Sequence, residues 1–212
     1  NVLKIMEEEL AKYKEAKKSL PAIAFCGEFS GGHGKDHLVK YNNLLVFDID
    51  HLTTEEMHKA YLTISSDKYI MAFWVSPSGN GYKGLIRVNY QNIPDSIGLD
   101  TCYKKAFKEV TAYFLNQFGI QLDTNCSDYS RICYVCSDQN LFINEDASPF
   151  IVDCSAVVKE EKKSSHVLSS RQDNVTNVSK IVNVPGKNSQ HDRNLVSSIL
   201  KYLTKRNLSI TR

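Results

Sequence analysis

The sequence lacks any apolar run approaching the roughly 20 residues that a bilayer-spanning helix needs, and no leader pattern of a basic, an apolar and a small-residue region opens it. No membrane association is expected, and the compartment expected is the cytoplasm. An excess of charge of one sign is also missing. Lys and Arg number 26 against 24 Asp and Glu, a net charge of +2 over 212 residues. That excludes a broad basic footprint but leaves room for a local basic groove. The six cysteines (Cys26, Cys102, Cys126, Cys133, Cys136, Cys154) lack the spacing of a secreted disulfide scaffold, so reduced and mostly buried thiols are expected. Cys133-x-x-Cys136 suggests zinc, with Cys126 and Cys154 as candidate partners, but has no second Cys-x-x-Cys to match it. It also lies within Arg131–Cys136, which reads as a strand, where residues three apart face opposite sides. A zinc knuckle is therefore not expected. No internal repeat is present. Asn1-Val2-Leu3 supplies no initiator methionine, and the chain is expected to be an excised piece of a longer protein.

What is present is a mixture of helical and strand periodicities that argues for an α+β fold. Helices are expected over residues 2–19, with Pro21 as a stop, from Thr53 or Thr54 to about Ile64, and over Leu99–Phe118. Strands are expected at Ala22–Cys26, Tyr69–Val75, Tyr82–Asn89, Arg131–Cys136 and Leu141–Ile143, with Asn80-Gly81 as a hairpin signal. Gly31-Gly32-His33-Gly34-Lys35-Asp36-His37 reads as a mobile glycine-rich loop near the active strand, and its glycines argue against a helix that would place His33 and His37 on one face. Residues 1–155 are expected to form one domain. Residues 156–190 read as a linker or extended arm, and 191–212 as the start of a helical segment.

The segment Leu44-Leu45-Val46-Phe47-Asp48-Ile49-Asp50 carries the chemistry. Its apolar run reads as a buried strand, and strand alternation places Asp48 and Asp50 on one face. Two carboxylates at the end of a buried strand repel each other unless a cation shares them, and hard oxygen ligands point to Mg²⁺ or Mn²⁺. Two further segments follow in order. Phe73–Val88 is strand, turn and strand, carrying Ser76, Ser78, Gly79, Gly81 and Lys83. Leu122–Val135 carries Asp123, Asp128 and Arg131 ahead of a strand. Three carboxylates able to hold two cations, with backbone amides and a lysine to take up phosphate charge, are what metal-bound nucleotide chemistry requires.

These segments resemble the motifs of the archaeo-eukaryotic primase superfamily, in its primase-polymerase branch, and are most similar to the N-terminal primase domain of virulence-associated E-type proteins. The family's strand ending in Asp-x-Asp is matched by Asp48 and Asp50. Its Ser/Gly turn with a following basic position is matched loosely by Ser78, Gly79, Gly81 and Lys83, the lysine standing where a histidine is usual. Its late single Asp is matched by Asp128, with Asp123 as a rival.

The resemblance spans about residues 22–152 and implies a primase-polymerase fold with an RRM-like catalytic sheet, followed by the start of a helical C-terminal module. It implies template-directed nucleotidyl transfer from NTPs or dNTPs on a single-stranded DNA template, making or extending a primer strand in a prokaryotic or phage setting, with further domains of the parent protein as partners. Asp48, Asp50 and Asp128 would be the catalytic, metal-holding carboxylates. Ser76, Ser78, Gly79, Gly81, Lys83 and Arg131 would bind the nucleotide.

Two other readings compete. A phosphatase of the haloacid-dehalogenase type also starts from an apolar strand and Asp-x-Asp, but needs Thr two residues past the second Asp. Leu52 stands there, Thr53 is one residue late, and no late Asp-Asp pair exists. A nucleotide- or nucleic-acid-binding module with vestigial carboxylates is the other alternative.

Overall fold

The computed structural model describes residues 2–134 and 136–155. In chain order its elements are α1 (Val2–Lys18), β1 (Ala22–Ile23), β2 (Gly27–Phe29), β3 (Leu38–Tyr41), β4 (Leu44–Ile49), α2 (Thr54–Ser65), β5 (Ile70–Val75), β6 (Tyr82–Gln91), α3 (Leu99–Phe118), β7 (Cys133–Tyr134), β8 (Phe142–Ile143) and β9 (Phe150–Asp153). The architecture is α+β, as expected. The main sheet runs β4-β6-β5-β8, and β9 also pairs with β6. β4 and β5 are each antiparallel to β6, so they run parallel to each other with β6 between them. α2 supplies the crossover that a parallel pair requires. β9 lies parallel to the far end of β6, opposite Val88–Gln91. Two small antiparallel pairs, β1 with β7 and β2 with β3, complete the strands among the described residues.

Local chemistry accounts for the element ends. Thr53 and Glu56 form a reciprocal capping box at the start of α2, and α3 stops at Gly119, whose left-handed φ of 67° lets the last turn close on Leu115 and Phe114. α3 has the bounds expected of it. The strand expected over Arg131–Cys136 shortens to Cys133–Tyr134, because Asp128 draws the chain into a turn. Its Oδ1 accepts from the Ser130 N–H and hydroxyl, both at 2.8 Å, and its carbonyl accepts from the Arg131 N–H at 3.2 Å. The strand expected over Ala22–Cys26 likewise reduces to Ala22–Ile23. The glycine-rich loop connects β2 to β3 and contains a short 3-10 turn at Lys35–His37. The linker and helix expected over 156–190 and 191–212 lie outside the described residues.

Cross-strand partners share a face of the sheet, which divides its residues into two rows. Phe47, Gly84 and Phe73 stand in register on one side. The Phe47 ring occupies the space a Cβ at Gly84 would need, 2.2 Å away, and packs on Phe114 of α3 at 5.0 Å between ring centres. Tyr61 of α2 meets Phe73 on the same side. Both helices therefore cover this face, and burial of these aromatic rings is a main source of the fold's stability. Asp48, Lys83 and Trp74 stand in register on the opposite face. There Phe25 packs on Trp74 at 5.3 Å. Among the described residues no helix is long and apolar enough to cross a membrane.

Candidate functional site

The row Asp48–Lys83 opens into a cleft of about 450 Å³ on the face away from α2 and α3. β4 carries Asp48 at its buried end, and Asp50 follows it into the same cleft from an exposed position. The segment between α3 and β7 supplies Asp123 and Asp128. Four carboxylates from two segments distant in sequence thus line one cavity. Arg131 and Lys83 line it too, as do Lys17 from the last turn of α1 and His33 from the glycine-rich loop.

Asp48 is the most enclosed of the four, 6% exposed. Its Oδ2 accepts a hydrogen bond from the Lys83 ammonium, its cross-strand partner, while its Oδ1 is buried with no partner among the described residues. Burial pushes the Asp48 carboxyl above its ordinary value, the neighbouring Asp50 and Asp123 add to that, and Lys83 opposes it. Burial works to lower the Lys83 pKa, but the charge and hydrogen bond of Asp48 outweigh it and hold the ammonium above its ordinary value. The cation demanded by the buried carboxylate is therefore supplied in part by the chain itself.

Asp123 is tied to β4 by its backbone, its N–H donating to the Asp48 carbonyl at 2.8 Å. Its side chain caps the 3-10 turn Thr124–Cys126 by accepting from the Asn125 N–H at 3.0 Å. Asp128 is engaged differently. Beyond its bonds to Ser130, its Oδ2 lies 3.7 Å from the Lys35 ammonium, which pairs with Asp100 at the start of α3. Lys35 thereby fastens the glycine-rich loop to both α3 and the Asp128 turn. Among the described residues, one trio of groups lies close enough to share an ion: Asp48, Asp123 and Cys126, with ligating atoms within 4.8 Å of one another. Cys126 is 3% exposed, and burial, reinforced by the Asp48 charge, pushes its thiol up to about 12. The unpartnered Asp48 Oδ1 and this donor set suit a divalent cation.

The structure thus brings Asp48, Asp50, Asp128, Lys83 and Arg131 to the cleft, together with the rival Asp123. Ser76, Ser78, Gly79 and Gly81 form the β5–β6 turn and stand outside the cleft's lining. Ser76 is buried and its hydroxyl meets that of Ser78 at 2.9 Å, and the Ser78 hydroxyl donates to the Asn80 Oδ1 at 2.6 Å. Gly81 packs on the end of β4, where a Cβ would fall 2.0 Å from the Ile49 carbonyl oxygen. Asn80 accepts through its carbonyl from the Leu52 N–H at 2.9 Å, which further ties this turn to the residues after Asp50.

Sequence reading missed Cys126 and Lys17 as cleft residues. The local cue for Cys126 was its place three residues past Asp123, at the end of the 3-10 turn that Asp123 caps. Lys17 carried no such signal, since only the packing of α1 brings it near, with its ammonium 5.8 Å from the centre of the Tyr134 ring. Cys133 and Cys136 form no shared site. Cys133 is buried in β7, and the Cys136 thiol donates to the Val75 carbonyl at 2.8 Å. All six cysteines are free thiols.

Comparison with known proteins adds one finding. A family model described as BT4734-like, N-terminal domain, matches residues 15–142. No curated protein and no solved structure matches the chain.

Proposed function

The chain belongs to the BT4734-like N-terminal domain family, and on the residues of its carboxylate cleft we propose that it performs template-directed nucleotidyl transfer, as a primase-polymerase catalytic domain with an RRM-like sheet. The observation that carries this reading is the convergence of Asp48, Asp50, Asp123 and Asp128 with Lys83 and Arg131 on one cavity. The order of elements supports it as well, since β4, α2, β5 and β6 form a split unit with β6 lying between two parallel strands. The substrates would be NTPs or dNTPs on a single-stranded DNA template, with a primer strand made or extended, in the cytoplasm of a prokaryote or in a phage-encoded setting.

In the reaction, the oxygen of a primer 3′-hydroxyl bonds to the α-phosphorus of the incoming triphosphate, its proton passes to solvent, the bond from that phosphorus to the α–β bridging oxygen breaks, and pyrophosphate leaves. Two divalent ions, Mg²⁺ or Mn²⁺, held at the carboxylates would supply the charge chemistry, one to lower the pKa of the attacking hydroxyl and one to offset triphosphate charge and stabilise the leaving pyrophosphate. Asp48 offers Oδ1 to such an ion, with Asp50 and a carboxylate from the 123–128 segment beside it. Lys83 works as a point charge within reach of both Asp48 and the cleft, and Arg131 on the exposed rim can hold a phosphate in a fork of two hydrogen bonds. Lys17 and His33 add donors on the same rim. The Ser76–Gly81 turn acts through the end of β4, which Gly81 contacts directly.

The test is incubation with single-stranded template, labelled NTPs or dNTPs, and Mn²⁺. Template-dependent oligomers are expected. Triphosphate binding without extension on any template or primer would overturn the polymerase reading. It would favour the second one, a non-catalytic nucleotide-binding module, which the Lys83–Asp48 pair supports because it already neutralises the buried carboxylate.

A further inference from the structure

The floor of the cleft combines three independent features. Asp123 caps the 3-10 turn Thr124–Cys126 from an extended position just ahead of it, its side chain accepting from the Asn125 N–H at 3.0 Å. The bond from the Asp123 N–H to the Asp48 carbonyl pins that turn against the end of β4. One ligating atom each from Asp48, Asp123 and Cys126 consequently falls within 4.8 Å of the other two. An ion bonded at about 2.0–2.3 Å to each ligand in a tetrahedral site holds them about 3.3–3.7 Å apart, so the three side chains close on it by rotations that move their ends up to about 1 Å. Asp48 is 6% exposed, and its Oδ1 is buried without a partner among the described residues while Lys83 occupies Oδ2. An orphaned carboxylate oxygen in such a place is costly, and a cation at Oδ1 would satisfy it without displacing the lysine.

The donors are two carboxylates and one sulfur. Mg²⁺ takes oxygen ligands, keeps its waters and gains nothing from sulfur, whereas a thiolate favours ions such as Zn²⁺ and Co²⁺. We propose that this chain holds a divalent ion between Asp48, Asp123 and Cys126, and that the Cys126 sulfur makes the site select a thiophilic ion over Mg²⁺. On binding, sulfur bonds to the ion and its proton passes to solvent. The ion's role in catalysis rests on the nucleotidyl-transfer reading, whereas the ligand set stands on geometry alone. It places the late carboxylate at Asp123 and leaves Asp128 to the Lys35 tether.

The test is titration of the whole chain with Co²⁺ in the presence of a phosphine reductant, following the near-ultraviolet sulfur-to-cobalt charge-transfer band. The band is expected in the native chain, is lost in Cys126→Ser, and persists in Cys133→Ser and Cys136→Ser. A chain that develops no band, or a band unchanged in Cys126→Ser, overturns the proposal. Cys126 is buried, so folding of the serine variant is checked by circular dichroism. Asp123→Asn provides a second arm at a half-buried position, and an unchanged Co²⁺ spectrum there also overturns the ligand set. Primer extension is measured separately on the same preparations. Extension without a Cys126-dependent band sinks only the ligand set, and a Cys126-dependent band without extension sinks only the polymerase reading.

Discussion

Asp48 and Lys83 are cross-strand partners whose side chains meet as an ion pair on the sheet face opposite α2 and α3, 9% and 13% exposed. Two charges so enclosed are costly to separate. Removing one leaves the other buried and unpaired, a loss of about 3 kcal/mol or more, whereas replacing both by neutral groups is much less harmful. Lys83→Met is therefore expected to unfold at clearly lower urea than the parent, and Asp48→Asn with Lys83→Met to recover most of the difference. Equal midpoints for the parent and Lys83→Met would show that the pair carries no stability.

The same pair sets a pH dependence. Burial raises the Asp48 pKa above its ordinary 3.8, so its stability contribution is full below that value and falls as pH rises through the folded pKa. Lys83 opposes that rise while its ammonium is present. Without it the Asp48 pKa climbs further, so the deficit of Lys83→Met should shrink as pH is lowered from 7 toward 5. Urea midpoints at several pH values check the sign, and a deficit that grows on acidification would contradict it.

Asp123 and Asp128 are separable by substitution. Asp123 is bonded through its backbone to Asp48 and stands in the ion-sharing trio, while Asp128 spends one oxygen on Ser130 and has Lys35 near the other. Asp123→Asn is expected to abolish extension as thoroughly as Asp48→Asn, and Asp128→Asn to retain a measurable fraction of it. The reverse order in a primer-extension series would move the late carboxylate to Asp128.

The glycines of the β5–β6 turn differ in kind. A Cβ at Gly81 would strike the Ile49 carbonyl oxygen at 2.0 Å, with the Asp50 Cα 3.1 Å away, so Gly81→Ala forces the backbone at the carboxylate pair to move. Such overpacking costs about 1–3 kcal/mol, and extension should fall with it. Gly79 has open space around a Cβ but a φ of +78°, so Gly79→Ala pays only the left-handed backbone cost of about 1–2 kcal/mol and leaves the carboxylates in place. Thermal melts with extension rates separate the two. Full activity in Gly81→Ala would refute the link from turn to site.

Five of the six thiols are buried, and burial pushes Cys26, Cys126 and Cys133 up to about 12 from an ordinary 9.0. Groups with raised pKa values contribute stability that is intact below 9.0 and is lost as pH rises toward their folded values. The urea midpoint should therefore hold to about pH 9 and fall beyond it. At neutral pH a thiol reagent should reach the half-buried Cys136 first; faster labelling of Cys26 or Cys133 would show that this face of the sheet opens readily.

The sequence by itself determined the elements whose signals are local. Leu44–Ile49 is legible because an uninterrupted apolar run must be buried, α3 because its apolar spacing ends at a glycine, and α2 because Thr53 and Glu56 cap it reciprocally. Alternation along a strand was enough to put Asp48 and Asp50 on one side. What only the tertiary structure decided is which groups face those carboxylates. The register of β4 on β6 opposes Lys83 to Asp48, and a one-residue slip would have turned the lysine to the helix face. The bond from Asp123 to the Asp48 carbonyl, the meeting of Cys126 with Asp48 and the approach of Lys17 all depend on contacts between segments far apart in the chain. The β5–β6 turn shows the same limit, because Ser78-Gly79-Asn80-Gly81 looks alike in sequence whether its glycines meet a ligand or, as at Gly81, the backbone of the neighbouring strand. Local periodicity fixes which side of its own element a residue occupies, but only long-range packing fixes what stands opposite it.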